Sequence, residues 1–139
     1  MTAINNKGLV NTMWIVISIL GIVCTFLFQD FSLLEAFDFS EQGQFVGRKI
    51  LRVLLNDTFM LIFMVAWFRD KKVTRLALFI QLIDGLILLP LYLILKLRWE
   101  GTSEISSPLL SQFHRLIINP TLMILLIPAI YFQKLSGQK

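Results

Sequence analysis

The sequence is poor in the residues that soluble folds rely on. Among its 139 residues only 16% are charged, there is one histidine, and Cys24 is the single cysteine. A lone cysteine excludes an intramolecular disulfide and leaves the redox compartment undetermined. Charged residues usually make up about 25% of a soluble domain. With 56% hydrophobic residues and a mean hydropathy of +0.74, the chain has more apolar surface than one small core can hide, because a domain of this size still exposes about a third of its unfolded-chain surface. Lipid is the solvent this composition fits. The net charge of +4 then reads as membrane-flanking Lys and Arg and not as a nucleic-acid surface.

Four spans follow from the uncharged runs. Gly8 to Gln29 carries no charge, and about 20 residues suffice to cross a hydrocarbon core. No small-residue cleavage site follows at Leu27 to Asp30, so a membrane span is favoured over a cleaved signal peptide. The expected fold is an all-α, integral membrane four-helix bundle forming one domain, with spans at about 9–28, 50–68, 73–95 and 115–133. Helices are the open-chain solution in lipid, because every backbone polar group must be satisfied internally. Pro120 and Pro128 in the fourth span are expected as kinks.

Charge sets the expected orientation. Four spans put both termini on one side, together with Lys7, the turn Arg69, Lys71, Lys72 and Arg75, and Lys134 and Lys139. Arg48, Lys49, Arg52, Lys96, Arg98 and Arg115 fall opposite, along with Asp30, Glu35, Asp38, Glu41, Glu100 and Glu104. The density of the short turn favours cytoplasmic termini. The first outer loop alternates Phe28, Phe31, Leu34, Phe37 and Phe39 with acids. Either an interfacial amphipathic segment or a solvated loop with aromatic anchors fits that pattern.

The polar residues within the spans are the candidate site. Arg52, Asn56, Thr58 and Met60 recur 63 positions later as Arg115, Asn119, Thr121 and Met123, and Val10 maps onto Val73. This suggests two repeated helical hairpins. Arg52 and Arg115 are expected at one depth, each with its Asn one turn further in. Snorkelling to lipid phosphate explains such arginines adequately. The alternative is that Arg52, Asn56, Arg115 and Asn119, with His114 and Lys49 at the rim, hold an anionic group of a partner, since the planar arginine fork takes carboxylate or phosphate bidentately. Asp57 and Asp84 are expected at mid-membrane with Gln81 one turn from Asp84. Pairing between helices is one reading, with Arg52 as a candidate partner; a proton-coupled transporter or lipid-handling protein using Asp84 is the other. No metal-ligand spacing or cofactor motif is present, and Cys24 lacks any flanking catalytic signature.

Two blocks carry a resemblance. The first runs from Arg48 to Lys72. The second runs from Phe113 to Gln133 and includes Arg115-x-x-x-Asn119-Pro120 and Pro128-Ala129-x-Tyr131-x-Gln133. Over about two thirds of the chain they resemble the exosortase F system-associated proteins, small integral membrane proteins of Bacteroidota. The resemblance implies a non-enzymatic accessory subunit in a bacterial inner membrane beside an exosortase, a larger membrane cysteine transpeptidase that processes C-terminal sorting signals.

Overall fold

A computed structural model describes residues 2–28, 39–103 and 106–137, which are helical wherever regular structure occurs. Helix α1 spans Thr2–Leu27 and α2 spans Glu41–Phe68. Helix α3 (Lys71–Ile83) runs through a π-helical turn (Asp84–Leu88) into α4 (Leu89–Trp99), and α5 (Pro108–Ile118) and α6 (Thr121–Ser136) close the chain. The acidic and aromatic part of the expected first loop, residues 29–38, lies outside the described residues.

Three helices are long and apolar enough to cross a membrane, namely α1 from Lys7, α2, and the α3–α4 rod. The fourth expected span is broken: α5 and α6 meet at a bend of 63° and qualify only as a pair. Proline explains the break. Pro120 has no N–H to give to a preceding turn, and it forces the residue before it out of helical geometry. Asn119 is accordingly extended, at φ −87° and ψ 140°. Pro128, in contrast, sits inside an unbroken α6.

The helices also outrun their expected bounds. Helix α2 begins at Glu41 rather than near residue 50, with Ser40 Oγ accepting from the Gly43 N–H at its start. Charge at Arg48 and Lys49 ends a run suited to lipid; it does not end a helix. At its other end α2 stops on Arg69 in left-handed geometry (φ 52°). Asp70 then caps α3 through a 2.8 Å hydrogen bond from the Lys72 N–H.

The interior has two apolar clusters with polar groups between them. Phe45, Val53, Leu89, Tyr92, Leu93, Leu110, Ile117 and Ile118 join α2, α4 and α5 at one end. Met60, Met64, Val73, Ala77, Met123, Leu126 and Ile130 join α2, α3 and α6 at the other. Between them along the chain lie buried Asn56, Asp57 and Asp84. Both helical irregularities, the π turn and the 119–120 break, begin at this level.

Asn56 explains how the break is tolerated. The Ile118 carbonyl ends α5, and the Asn56 Nδ2 amide donates to it from α2 at 2.7 Å. The π turn has a similar origin, because Pro90 at the start of α4 removes another helical N–H. Adding one residue to the turn, with the Leu89 N–H reaching the Asp84 carbonyl, shifts the inward face by one position. Leu89, Tyr92, Leu93 and Lys96 therefore point inward, while Leu91 and Ile94 are exposed.

Helix α1 stands apart from this arrangement and packs mainly against α2. Its contact stripe is small and polar: Asn11 donates to the Ala66 carbonyl at 3.1 Å, Ser18 is fully buried, and Gly21 lies against the Phe59 ring, which a Cβ at that position would overlap. Small residues of this kind let two membrane helices approach closely. Most other α1 side chains, from Leu9 to Leu27, are exposed apolar groups.

Replacing Asn56 by Leu leaves the Ile118 carbonyl buried without its donor, at a cost of about 1–3 kcal/mol. Thermal unfolding in detergent should show that loss. Unchanged stability would mean that the break is held by something else.

Candidate functional site

At the end of the molecule where α1 finishes and α2 starts, α5 is secured at both of its termini. Asn56 fixes its C-terminal carbonyl. At its N-terminus Glu100 bridges α4 to α5: Lys96 Nζ donates to Glu100 Oε2 at 2.6 Å, and the Ser107 N–H donates to Glu100 Oε1 at 2.6 Å. Lys96, only 1% exposed, also donates to Ser106 Oγ at 2.7 Å. A lysine this deep requires such partners. Lys96, read from sequence as a topology signal, thus forms an internal staple with Glu100, Ser106 and Ser107.

His114 lies in the middle of α5 with a cavity on either side. Lys49 Nζ sits 3.0 Å from His114 Nε2. An ammonium has only hydrogens to give, so Nε2 accepts and the ring hydrogen resides on Nδ1. Tyr92 stacks at a tilt on the imidazole, with ring centroids 5.6 Å apart. The smaller cavity, about 130 Å³, is a polar chamber lined by Phe45, Lys49, Tyr92, Lys96, His114 and three serines. The larger, about 410 Å³, is lined by Phe26, Arg52, His114, Arg115, Ile118 and Asn119. None of the residues lining it is acidic. Lys49 and Lys96 line the smaller cavity and Arg52 and Arg115 the larger, so four cations surround His114.

Four of the five residues expected to bind an anion therefore meet at one recess: Arg52, His114, Arg115 and Asn119. The fifth, Asn56, is 5% exposed and its amide is committed to Ile118, so its role is to hold the site's frame. The two members of the 63-residue correspondence have different settings. Asn56 lies within continuous α2, whereas Asn119 is exposed in the break.

The buried acids of α2 and the π turn form a separate feature. Asp57 and Asp84 are each 1% exposed, and the charge of Asp84 bears on Asp57. Both Asp57 oxygens and Asp84 Oδ1 are buried without a hydrogen-bond partner among the described residues. Gln81 is half-buried, and its backbone carbonyl accepts from the Asp84 N–H. Cys24 is exposed on α1 and does not line the recess. No group of His, Cys, Asp and Glu among the described residues could hold a metal ion.

The inward, buried setting of Lys96 and Tyr92 escaped the sequence reading. The available signal was Pro90, whose missing N–H predicts an irregular turn and with it a shift of the inward face.

The chain is thus an all-helical protein with three helices suited to crossing a membrane and a cationic recess at one end. No family model, no curated protein and no solved structure matches it.

The Glu100 staple should respond to acid. Its hydrogen bonds to Lys96, first, and to Ser107 hold the carboxyl down at about 2 from the usual 4.5. Protection of the loop from hydrogen exchange should persist above about pH 4.5 and fade as pH falls through about 2. Glu100→Gln should remove the protection at neutral pH. A loop equally protected in that variant would show that the carboxylate does not fasten it.

Proposed function

We propose that this chain is a four-pass membrane subunit whose recess at Arg52, His114, Arg115 and Asn119 holds an anionic group belonging to a larger membrane partner. Its spans are α1, α2, the α3–α4 rod and the bent α5–α6 pair. The observation that carries the reading is the recess itself, in which two guanidinium groups, an imidazole and an amide line one cavity with no acid among them. Surface snorkelling needs no such convergence. Arginine supplies the fork that carboxylate or phosphate fits.

The resemblance gives the partner its identity. The chain then serves as a non-enzymatic accessory of an exosortase-type C-terminal sorting system in a bacterial inner membrane, with both termini cytoplasmic and the recess in the outer leaflet. The basic groups gathered at the opposite end, Lys7 and Arg69 around one groove and Lys72, Arg75 and Lys134 around another, accord with that orientation.

Copurification tests the assignment. The wild-type protein should retain an exosortase from the same organism, and Arg52→Ala plus Arg115→Ala should weaken retention at least about tenfold, since a hydrogen bond to a charged group contributes about 1.5–3 kcal/mol. The double variant must still elute as a folded species. An undiminished complex would remove the recess from the proposal.

A second reading is favoured by one observation, the buried Asp57 and Asp84 pair beside a π turn. Intramembrane carboxyl groups are the equipment of proton-coupled carriers, and π turns recur at functional positions. On this reading, proteoliposomes should dissipate an imposed pH gradient faster than empty vesicles, and Asp84→Asn should abolish the difference. Equal rates in protein-containing and empty vesicles would dismiss it.

A further inference from the structure

The end opposite the recess carries a groove of a different kind. It lies between α1 and α2, has a volume of about 760 Å³, and is walled by Val10, Trp14, Leu61, Ile62, Val65 and Ala66. Its floor includes Asn11, whose amide is committed to the Ala66 carbonyl. Two cations, Lys7 and Arg69, line its mouth, and none of the lining residues is acidic. Both are exposed, and neither forms a salt bridge among the described residues.

Arg69 is unusual in its own right. It occupies left-handed geometry at the end of α2, at φ 52° and ψ 28°, where glycine would sit without strain. It is the one non-glycine residue with positive φ among those described. That geometry ends α2 just past Val65 and Ala66, and exposed Arg69 is itself among the residues that line the groove.

We infer that this groove seats an anionic phospholipid, with one acyl chain along the Val10, Trp14, Leu61 and Val65 walls and the headgroup phosphate between Lys7 and Arg69. Charge and hydrophobicity are distributed as such a molecule requires, apolar along the helices and cationic only at the last turn. Basic pockets between membrane helices select anionic headgroups in this way. A zwitterionic lipid fills the apolar walls equally well but carries a compensating ammonium, so the two cations distinguish between the lipids. The inference rests on the bilayer placement proposed above and is independent of the recess at the other end.

Trp14 provides a reporter inside the groove. In a variant with Trp67→Phe and Trp99→Phe it is the only tryptophan, and bromine on an acyl chain quenches indole fluorescence on contact. The variant is reconstituted into vesicles of phosphatidylcholine containing one fifth phosphatidylglycerol, with bromine on one lipid or the other. Brominated phosphatidylglycerol should quench Trp14 at least twofold beyond its share of the bilayer, and Lys7→Gln plus Arg69→Gln should return quenching to that share. Soluble glycerol phosphate at millimolar concentration should leave the preference intact; its displacement by that anion would overturn the lipid assignment in favour of a free phosphate site. Quenching by both lipids in proportion to their abundance would overturn the inference while leaving the bilayer placement standing. Absence of quenching by any brominated lipid would overturn both.

Discussion

A helix interrupted in an apolar environment releases carbonyls that no water can reach, and each needs another donor. Pro120 creates that situation at the end of α5, and the Asn56 amide answers it from α2 at 2.7 Å. The rest of the recess depends on this hydrogen bond. It ties α5 to α2 at the level where the two apolar clusters meet, and α5 and α2 carry Arg115 and His114 on one side and Lys49 and Arg52 on the other. Without it the bend of 63° would lose its polar anchor to α2, and α5 would be held there by the apolar packing of Val53 with Ile117 and Ile118.

A second proline has a parallel effect one helix away. Pro90 accompanies the π turn, which rotates α4 so that Tyr92 and Lys96 face inward. Lys96 then meets Glu100, whose other oxygen takes the Ser107 N–H at the start of α5. Helix α5 is thereby fixed at both ends by side chains that a straight α3–α4 rod and an unbroken fourth span would not bring to it. His114, midway along α5, receives Lys49 on one side and Tyr92 on another. The irregularities place the polar groups, and the regular helices supply the frame.

The two ends of the molecule differ in enclosure. At the recess end, the small chamber that holds buried Lys96 is formed by three helices and the loop after α4, whereas the recess beside it is open, with Arg115 and Asn119 exposed. At the other end, cations sit at the lips of open apolar grooves flanking the α2–α3 turn. The small chamber suits a group that must be desolvated to enter, where charge-assisted hydrogen bonds strengthen. The open grooves suit a molecule already half in lipid. Helix α1 contributes to the groove mainly through its contact with α2, and its stripe of Asn11, Ser18 and Gly21 allows that close approach.

Hydropathy by itself determined the helical class, three helices long and apolar enough to cross a membrane, and the short basic turn, because each depends only on local chain composition and length. It also singled out Arg52, Arg115, Asp57 and Asp84, since charge within an apolar run is visible without coordinates. Only the tertiary structure separated Asn56, committed to a carbonyl, from Asn119, exposed in a break, although the two occupy matching places in the sequence. Only it turned Lys96 from a flanking charge into a buried staple. The physical reason is that a backbone irregularity shifts every later side chain around its helix, and how far it shifts them is settled by which neighbouring helix satisfies the released hydrogen-bonding groups.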